Sequence, residues 1–263
     1  MTRLAAGLEY DGSRFLGWQI QKQEPTVQSC VQRALSEVAD HPVVVTASGR
    51  TDAGVHAIEQ VIHFDTGSDR EERSWILGMN SHLPRGISGL WVRPVSDEFH
   101  ARFCAVTRRY RYIILNRQIR PALDTDRVTW CRQPLDAEAM NVAAQSLQGE
   151  HDFTSFRASA CQARHPVREI REISVRRSDA YVILDITANA FLYHMVRNIA
   201  GSLMAVGKGD RSGEWIGEIL AARNRDLADV TAAPNGLYFY QSKYPSEFDL
   251  PGGLRPFPWR LAR

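Results

Sequence analysis

The chain has 263 residues, of which 44% are hydrophobic and 24% charged, a composition typical of a globular protein with one large domain or two small ones. No apolar run approaches the roughly 18 residues that cross a membrane, and the N-terminus lacks a signal-peptide pattern, so a cytoplasmic protein is expected. The formal net charge of +2 hides an uneven distribution along the chain, which bears on the kind of partner.

The first half is predicted to form short strands alternating with two helices. An apolar run ends at the turn Asp11-Gly12, and apolar residues then recur at three- and four-residue spacing after Thr26, which is expected to cap the helix. The second helix is expected to stop before Pro84. In chain order the elements are a strand over 4–10, a helix over 27–38, strands over 43–46 and 60–64, a helix over 71–82 and a strand over 89–95.

The second half repeats this alternation. Asp136 is expected to cap a helix that ends at Gly149. In chain order the predicted elements are a strand over 108–115, a helix over 137–148, strands over 170–175 and 181–186, helices over 191–206 and 212–222, and a strand over 236–244. The residues after 245 are expected to be irregular. The sequence therefore predicts an α+β protein of two lobes joined near residue 105.

The basic residues are concentrated in the second half. Residues 1–101 carry 9 Lys or Arg and 13 Asp or Glu, whereas residues 102–263 carry 23 and 17, and eight arginines lie between 102 and 132. Arginine binds phosphate and stacks on bases, so this cluster is consistent with a nucleic-acid surface. A GC-rich coding bias explains the excess of arginine over lysine equally well, but it does not explain the clustering.

No metal, redox or phosphate-loop motif is found. The cysteines at 30, 104, 131 and 161 are far apart, which indicates reduced thiols rather than a zinc site. His56, His63 and Asp65 match no ligand spacing, and the glycines at 201 and 207 before Lys208 fail the phosphate-loop pattern in spacing and in its final residue. Neither a metal nor a cofactor is expected.

The most informative segment is Gly49-Arg50-Thr51-Asp52-Ala53-Gly54-Val55-His56-Ala57, between two predicted strands. In an extended chain Arg50 and Asp52 face the same side, and pairing between them would favour an ionised carboxylate. The small residues after Asp52 leave room for a large substrate. An alternative from the residues alone is a turn in which Asp52 only binds nearby backbone amides.

This segment resembles the signature of the bacterial tRNA pseudouridine synthase A family, and further segments match in the same order. They are Glu9-Tyr10-Asp11-Gly12 with Phe15-Leu16-Gly17-Trp18-Gln19, Phe99-His100-Ala101-Arg102-Phe103, Arg109-Tyr110-Arg111-Tyr112, Asp152-Phe153-Thr154-Ser155-Phe156, Asn189-Ala190-Phe191 with His194-Met195-Val196-Arg197-Asn198, and Gly236-Leu237-Tyr238. Seven collinear matches over residues 9–240 cover nearly the whole chain.

The resemblance implies roles for four residues. Asp52 corresponds to the family's catalytic aspartate and Arg50 to its adjacent arginine, which is expected to assist base flipping or to occupy the vacated space. Tyr110 is expected to stack on the flipped uracil; strand alternation alone does not distinguish it from Tyr112, and both tyrosines fit an ordinary half-buried strand. Arg197 is expected to pair with the aspartate. It lies off the apolar stripe of its helix, a position equally consistent with a solvated arginine.

The resemblance also implies the architecture and the substrate. Two ferredoxin-like lobes are expected to join into one antiparallel sheet with a central catalytic cleft. Residues 1–105 form the lobe with the aspartate, residues 106–244 the lobe with a basic RNA-binding surface, and residues 245–263 an irregular tail. The expected activity is isomerisation of uridine to pseudouridine at positions 38, 39 and 40 in the tRNA anticodon stem-loop, by a homodimer that needs no cofactor.

Two other classes of protein remain as alternatives. One is an RNA-binding or chaperone protein on the same fold without catalysis, which would bind RNA but form no product. The other is a metal-dependent nuclease acting on structured RNA. It would need clustered carboxylates, and the acidic residue nearest to Asp52 along the chain is Glu59.

Overall fold

The computed structural model describes residues 1–251; the remainder of the tail predicted over 245–263 lies outside the described residues. Within residues 1–251 the α-helices are α1 Val27–Ala39, α2 Glu72–His82, α3 Ala137–Ala144, α4 Met195–Gly207 and α5 Trp215–Ala222. The strands are β1 Thr2–Tyr10, β2 Thr46–Ala47, β3 His56–Thr66, β4 Ile87–Pro94, β5 Thr107–Asn116, β6 Thr129–Cys131, β7 Gly149–Asp152, β8 Val167–Ser178, β9 Tyr181–Ala188 and β10 Leu237–Lys243. The protein is therefore of the mixed α/β class.

The chain divides into two compact units. Among the described residues, the first runs from Met1 to Val106 and also includes Tyr238 to Pro251, whereas the second runs from Thr107 to Leu237. The break after residue 106 lies beside the predicted boundary near 105. Strand β10, assigned from the sequence to the second lobe, belongs almost entirely to the first unit.

In the first unit, β1 is the central strand of an antiparallel group. It pairs with β3 on one side and β4 on the other, and the short strand β2 pairs with β3. Strand β10 runs parallel to β3, with Tyr238 opposite His56. Helix α1 begins after Thr26, whose hydroxyl accepts the N–H of Ser29, so the predicted cap is confirmed.

The two faces of the first-unit sheet are covered differently. On one face α2 packs the edge of Trp75 against Phe64 of β3, with 5.4 Å between ring centroids. On the other face a cluster of buried residues joins β1, β3 and β4 to the segment after β4: Ala5, Val61, Trp91, Phe99 and Ala101. Because successive side chains of a strand point to opposite faces, each face of the sheet has its own hydrophobic core.

The second unit has an antiparallel order β5-β9-β8-β7, with β6 beside β5. Asp136 caps α3, as predicted, by accepting the N–H groups of Glu138 and Ala139. Asn141 of α3 accepts the N–H of Val175 on β8, which ties this helix to the sheet at 2.9 Å.

The expectation of a wholly antiparallel arrangement is wrong for two strand pairs. Strand β10 is parallel to β3, and β6 is parallel to β5. A parallel pair needs a crossover of about a dozen residues or more, and residues 117–128 supply it between β5 and β6. The sheet structure is therefore mixed.

Candidate active site

Asp52 lies in a tight loop that leads into β3. The N–H of Val55 donates to the Asp52 carbonyl at 3.1 Å, and Gly54 has a φ of 80°, a conformation that favours glycine. Thr51 and Val55 are buried on either side, whereas Asp52 is partly exposed. The loop therefore presents one carboxylate from a segment whose flanking residues are held in the core.

The backbone on the other side of this loop approaches it closely. The N–H of Trp18 donates to the Thr51 carbonyl at 2.9 Å. Gly17 has a φ of 88°, and a side chain there would lie 2.8 Å from the same carbonyl oxygen. Gly12 abuts the Val55 carbonyl in the same way. The glycines of the 9–19 segment are thus needed for close packing against the Asp52 loop.

Asp11 and His56 form a second polar group next to the loop. The His56 ring stacks on Tyr238 with centroids 4.7 Å apart, and its Nδ1 lies 3.2 Å from the Asp11 carboxylate. The hydrogen bond with His56 lowers the pKa of Asp11, and bonds from Ser13 act in the same direction. This carboxylate is therefore ionised at neutral pH. Both residues lie in motifs that match the family, but the sequence predicted no role for either.

Tyr110 and Tyr112 share one face of β5 but have different environments. Tyr112 is fully buried, and its hydroxyl donates to the Ala233 carbonyl at 2.7 Å and lies 2.6 Å from the Thr129 hydroxyl. Burial raises its pKa. Tyr110 retains 8% exposure, and its ring meets the Phe191 ring edge-on at 4.9 Å.

Arg197 lies in the first turn of α4 and is half-buried. Its Nε donates to the Ala232 carbonyl at 2.8 Å, and the Ala232 N–H returns a bond to the Arg197 carbonyl at 3.1 Å. The bond to Ala232 therefore fixes the guanidinium, whereas the side chain of a freely solvated arginine would not be held in this way. Periodicity alone had left this open.

The predicted site residues are divided between the two units. Arg50 and Asp52 belong to the first unit, and Tyr110 and Arg197 to the second. Arg50 is exposed. The described residues contain no group of three or more His, Cys, Asp or Glu placed to hold a metal ion, and His63 accepts the N–H of Ala101 at 3.1 Å.

The arginine-rich segment has two kinds of members. Three arginines on β5 are half-buried: Arg111 makes a two-point bond to Asp185 at 2.9 Å, Arg109 lies 3.6 Å from the same carboxylate, and Arg108 donates to the Asn189 carbonyl. The other five are exposed, namely Arg102, Arg117, Arg120, Arg127 and Arg132. Only this second group presents an exposed basic surface.

All four cysteines are free thiols, as the spacing predicted. Within residues 1–251 no helix combines the length and the apolar character that would let it cross a membrane.

A family model described as tRNA pseudouridine synthase matches residues 6–104 and 143–245, which include Arg50, Asp52 and Arg197 but not Tyr110. Proteins named tRNA pseudouridine synthase A are similar over nearly the full length. That of Nitrosococcus oceani is 55% identical over 97% of this chain and 98% of its own length, and that of Methylococcus capsulatus is 58% identical over 94% and 92%.

A third relative of this name, from an Enterobacter species, is 55% identical over 95% of this chain and 92% of its own length. Among solved structures, a chain of "Crystal Structure of a Cbf5-Nop10-Gar1 Complex" aligns with 90% of this chain and 48% of its own, at 12% identity and a TM-score of 0.36.

Proposed function

Because the chain belongs to the tRNA pseudouridine synthase family, we propose that it isomerises uridine to pseudouridine in tRNA, at positions 38, 39 and 40 of the anticodon stem-loop. The observation that carries this proposal is the family match over both units together with a partly exposed Asp52 on a tightly held loop. The relatives' shared name supplies the substrate class.

The reaction sets clear chemical requirements. The bond from ribose C1′ to uracil N1 breaks, the base turns, and a new bond joins C1′ to C5. The C5 hydrogen leaves as a proton and N1 ends with one, so no electrons are gained or lost overall. We assign Asp52 as the nucleophilic carboxylate that holds the intermediate between these steps.

The other three residues act on the base and on the carboxylate. Tyr110 stacks on the flipped uracil, and its position against Phe191 supports a rigid ring. Arg50 assists flipping or occupies the vacated space, which its exposure supports. Arg197 takes the role that the family resemblance implies, and the bond from its Nε to the Ala232 carbonyl would limit the rotamers of the guanidinium.

The architecture implied by the resemblance is part of the proposal. The first unit has the ferredoxin-like succession β1-α1-β2-β3-α2-β4. The elements β5, α3, β8, β9, α4 and β10 give the same alternation along the chain when β6, β7 and α5 are set aside, although β10 belongs to the first unit. The exposed arginines of residues 102–132 contact phosphates. The protein acts as a cytoplasmic homodimer without a metal or a cofactor.

The test is tritium release from tRNA labelled at uridine C5, since isomerisation must displace that hydrogen. Wild-type protein is expected to release it, and Asp52→Asn to lose at least 100-fold, on the order expected for removal of a nucleophile. Asp69→Asn is the matched control, because it makes the same change at an exposed aspartate of the same unit. Full activity in Asp52→Asn would exclude the assignment.

Two further results would contradict the proposed function. Binding of tRNA by the wild type without tritium release would indicate an RNA-binding protein. Loss of activity in excess EDTA, together with cleavage of the tRNA, would indicate a metal-dependent nuclease.

A further inference from the structure

A chain of buried hydrogen bonds runs beneath the Asp52 loop. It joins five side chains of the first unit that are each 7% exposed or less: Ser242, Ser48, Gln60, Tyr10 and Thr51. They come from β10, from the segment after β2, from β3, from β1 and from the loop itself. None of the four residues assigned above belongs to it.

The available donors set the direction of the bonds made by Gln60, Ser48 and Ser242. The Gln60 amide oxygen accepts the Ser48 hydroxyl at 2.9 Å, so Ser242 donates to Ser48 at 2.7 Å. The Gln60 amide nitrogen donates to the Gly49 carbonyl at 2.7 Å and to the Tyr10 oxygen at 3.5 Å. The Tyr10 hydroxyl is joined to Thr51 Oγ1 at 2.8 Å, a bond in which either oxygen can be the donor.

These hydrogen bonds hold the Asp52 loop at the two residues that flank Arg50. Gln60 binds Gly49 through two bonds, because its amide oxygen also accepts the Gly49 N–H at 3.3 Å. Tyr10 holds the Thr51 side chain, and Trp18 holds the Thr51 carbonyl. Thr51 is the residue next to Asp52, so its rotation would turn the Asp52 side chain with it.

We propose that Tyr10, Gln60 and Thr51 are positioning residues, which hold the Asp52 carboxylate in the orientation required for attack. The inference rests on the proposed function, because it presumes that Asp52 is the nucleophile. A displacement of a reacting group by about 1 Å can cost on the order of 100-fold in rate, so a fixed loop has kinetic value.

The buried position of the network supports a geometric role. Desolvation raises the pKa of Tyr10 to about 12, so its hydroxyl stays neutral at the pH at which tRNA is stable and serves as a hydrogen-bonding group rather than as an acid or base. The network also satisfies the N–H and carbonyl of Gly49, and a buried polar network whose members are satisfied favours one arrangement of the groups that it joins.

The test removes single hydroxyl groups and measures tritium release with tRNA in steady state. Tyr10→Phe and Thr51→Val are each expected to lower kcat roughly 10-fold or more while KM for tRNA stays within about twofold. Thr51→Ser keeps the hydroxyl and is expected to recover most of the lost kcat. Thermal unfolding, followed by circular dichroism, establishes that each variant is folded.

Tyr244→Phe is the matched control. It removes a hydroxyl of the same unit. The Tyr244 hydroxyl donates to the Ala101 carbonyl at 2.6 Å, and the Tyr244 ring contacts the Phe99 ring. It is expected to lower the unfolding temperature as Tyr10→Phe does but to leave kcat unchanged.

The outcomes separate this inference from the proposed function. Wild-type kcat in Tyr10→Phe and Thr51→Val, with Asp52→Asn inactive, overturns the positioning role alone. Equal losses in Thr51→Ser and Thr51→Val, or in Tyr244→Phe and Tyr10→Phe, overturn it in favour of a purely structural role. A wild-type protein that releases no tritium overturns both.

Discussion

Tyr110 and Tyr112 lie two residues apart on the same face of β5, yet they are available for different interactions. The Tyr112 hydroxyl is held between Thr129 and Ala233, and its ring has no exposed surface. Tyr110 keeps a small exposed area and contacts Phe191 by its ring. Their alternation in the sequence is identical, so only the surrounding packing distinguishes them.

This contrast predicts opposite effects of substitution. Tyr110→Leu is expected to lower kcat/KM about 10-fold to 100-fold, since stacking of a base on an aromatic ring contributes about 1–3 kcal/mol. Tyr112→Phe is expected to keep most of the activity but to lose about 1–3 kcal/mol of stability, because two buried partners lose their hydrogen bond. Tritium release and urea unfolding measure the two effects, and equal loss of activity in both variants would refute the distinction.

His63 is a buried histidine whose pKa is lowered to about 4, first by burial and then by the charges of His100 and Arg3, with Asp65 opposing. Its Nδ1 accepts the Ala101 N–H, a bond that protonation would break. An unfolded histidine titrates near 6.5, so between about pH 6.5 and 4 the unfolded state binds the proton and the folded state does not.

The protein is therefore expected to lose stability as the pH falls from about 6.5 towards 4, and to show no dependence on His63 above that range. His63→Gln should reduce the slope of the unfolding temperature against pH in this window. His82→Gln, at an exposed helix position, is the control and should leave the slope unchanged. An identical slope in wild type and His63→Gln would contradict this account.

At the scale of elements, helices were predicted well where their bounds depend on neighbouring residues and less well where they depend on tertiary packing. Helix α1 could be predicted almost to the residue because both its apolar stripe and its Thr26 cap lie within the helix itself. Helix α4 begins at Met195, four residues later than predicted, because His194 has a left-handed φ of 61° and Phe191 packs against Tyr110 instead. That packing is tertiary, so periodicity did not reveal it.

The sequence did not predict the short strands or the pairing of strands that are far apart in the chain. Strands β6 and β7 have three and four residues and were missed, while only Thr46–Ala47 forms a strand where 43–46 was predicted. The parallel position of β10 beside β3 depends on residues far apart in the chain. For the site, the motif predicted the Asp52 loop, but the Tyr10–Thr51 bond beneath it has no periodic signal.

Within the described residues, the segment after β10 packs against the core of the first unit. Ser246–Phe248 forms a short 3₁₀ turn, and the Phe248 ring meets Phe99 edge-on at 5.1 Å, so this part of the predicted irregular tail packs on the first-unit core. Phe248→Ala is expected to cost about 1–3 kcal/mol, less than for a fully buried phenylalanine because the ring is half-buried.

Urea unfolding measures that cost, and Glu247→Ala serves as the control because its side chain is exposed in the same turn. A loss of stability in Phe248→Ala no greater than in Glu247→Ala would show that this turn adds nothing to the core.

At the scale of the whole molecule, the uneven charge distribution limits what the exposed arginines can contribute to RNA binding. The positive excess belongs to residues 102–263, and five of the eight arginines between 102 and 132 are exposed. Contacts of this type bind phosphates and set the register of an RNA, but they do not select a base. Under the proposed function, selection of particular uridines would therefore depend on the site residues and on the shape of the tRNA.

The central claim is that Asp52 carries out uridine isomerisation at defined positions of tRNA. Its most direct test is a nucleotide-resolution map of pseudouridine in tRNA incubated with purified wild type, Asp52→Asn or Asp69→Asn. The account predicts pseudouridine at positions 38, 39 or 40 with wild type and Asp69→Asn, and none with Asp52→Asn. Pseudouridine formed by Asp52→Asn at the wild-type level, or none formed by wild type, would contradict it.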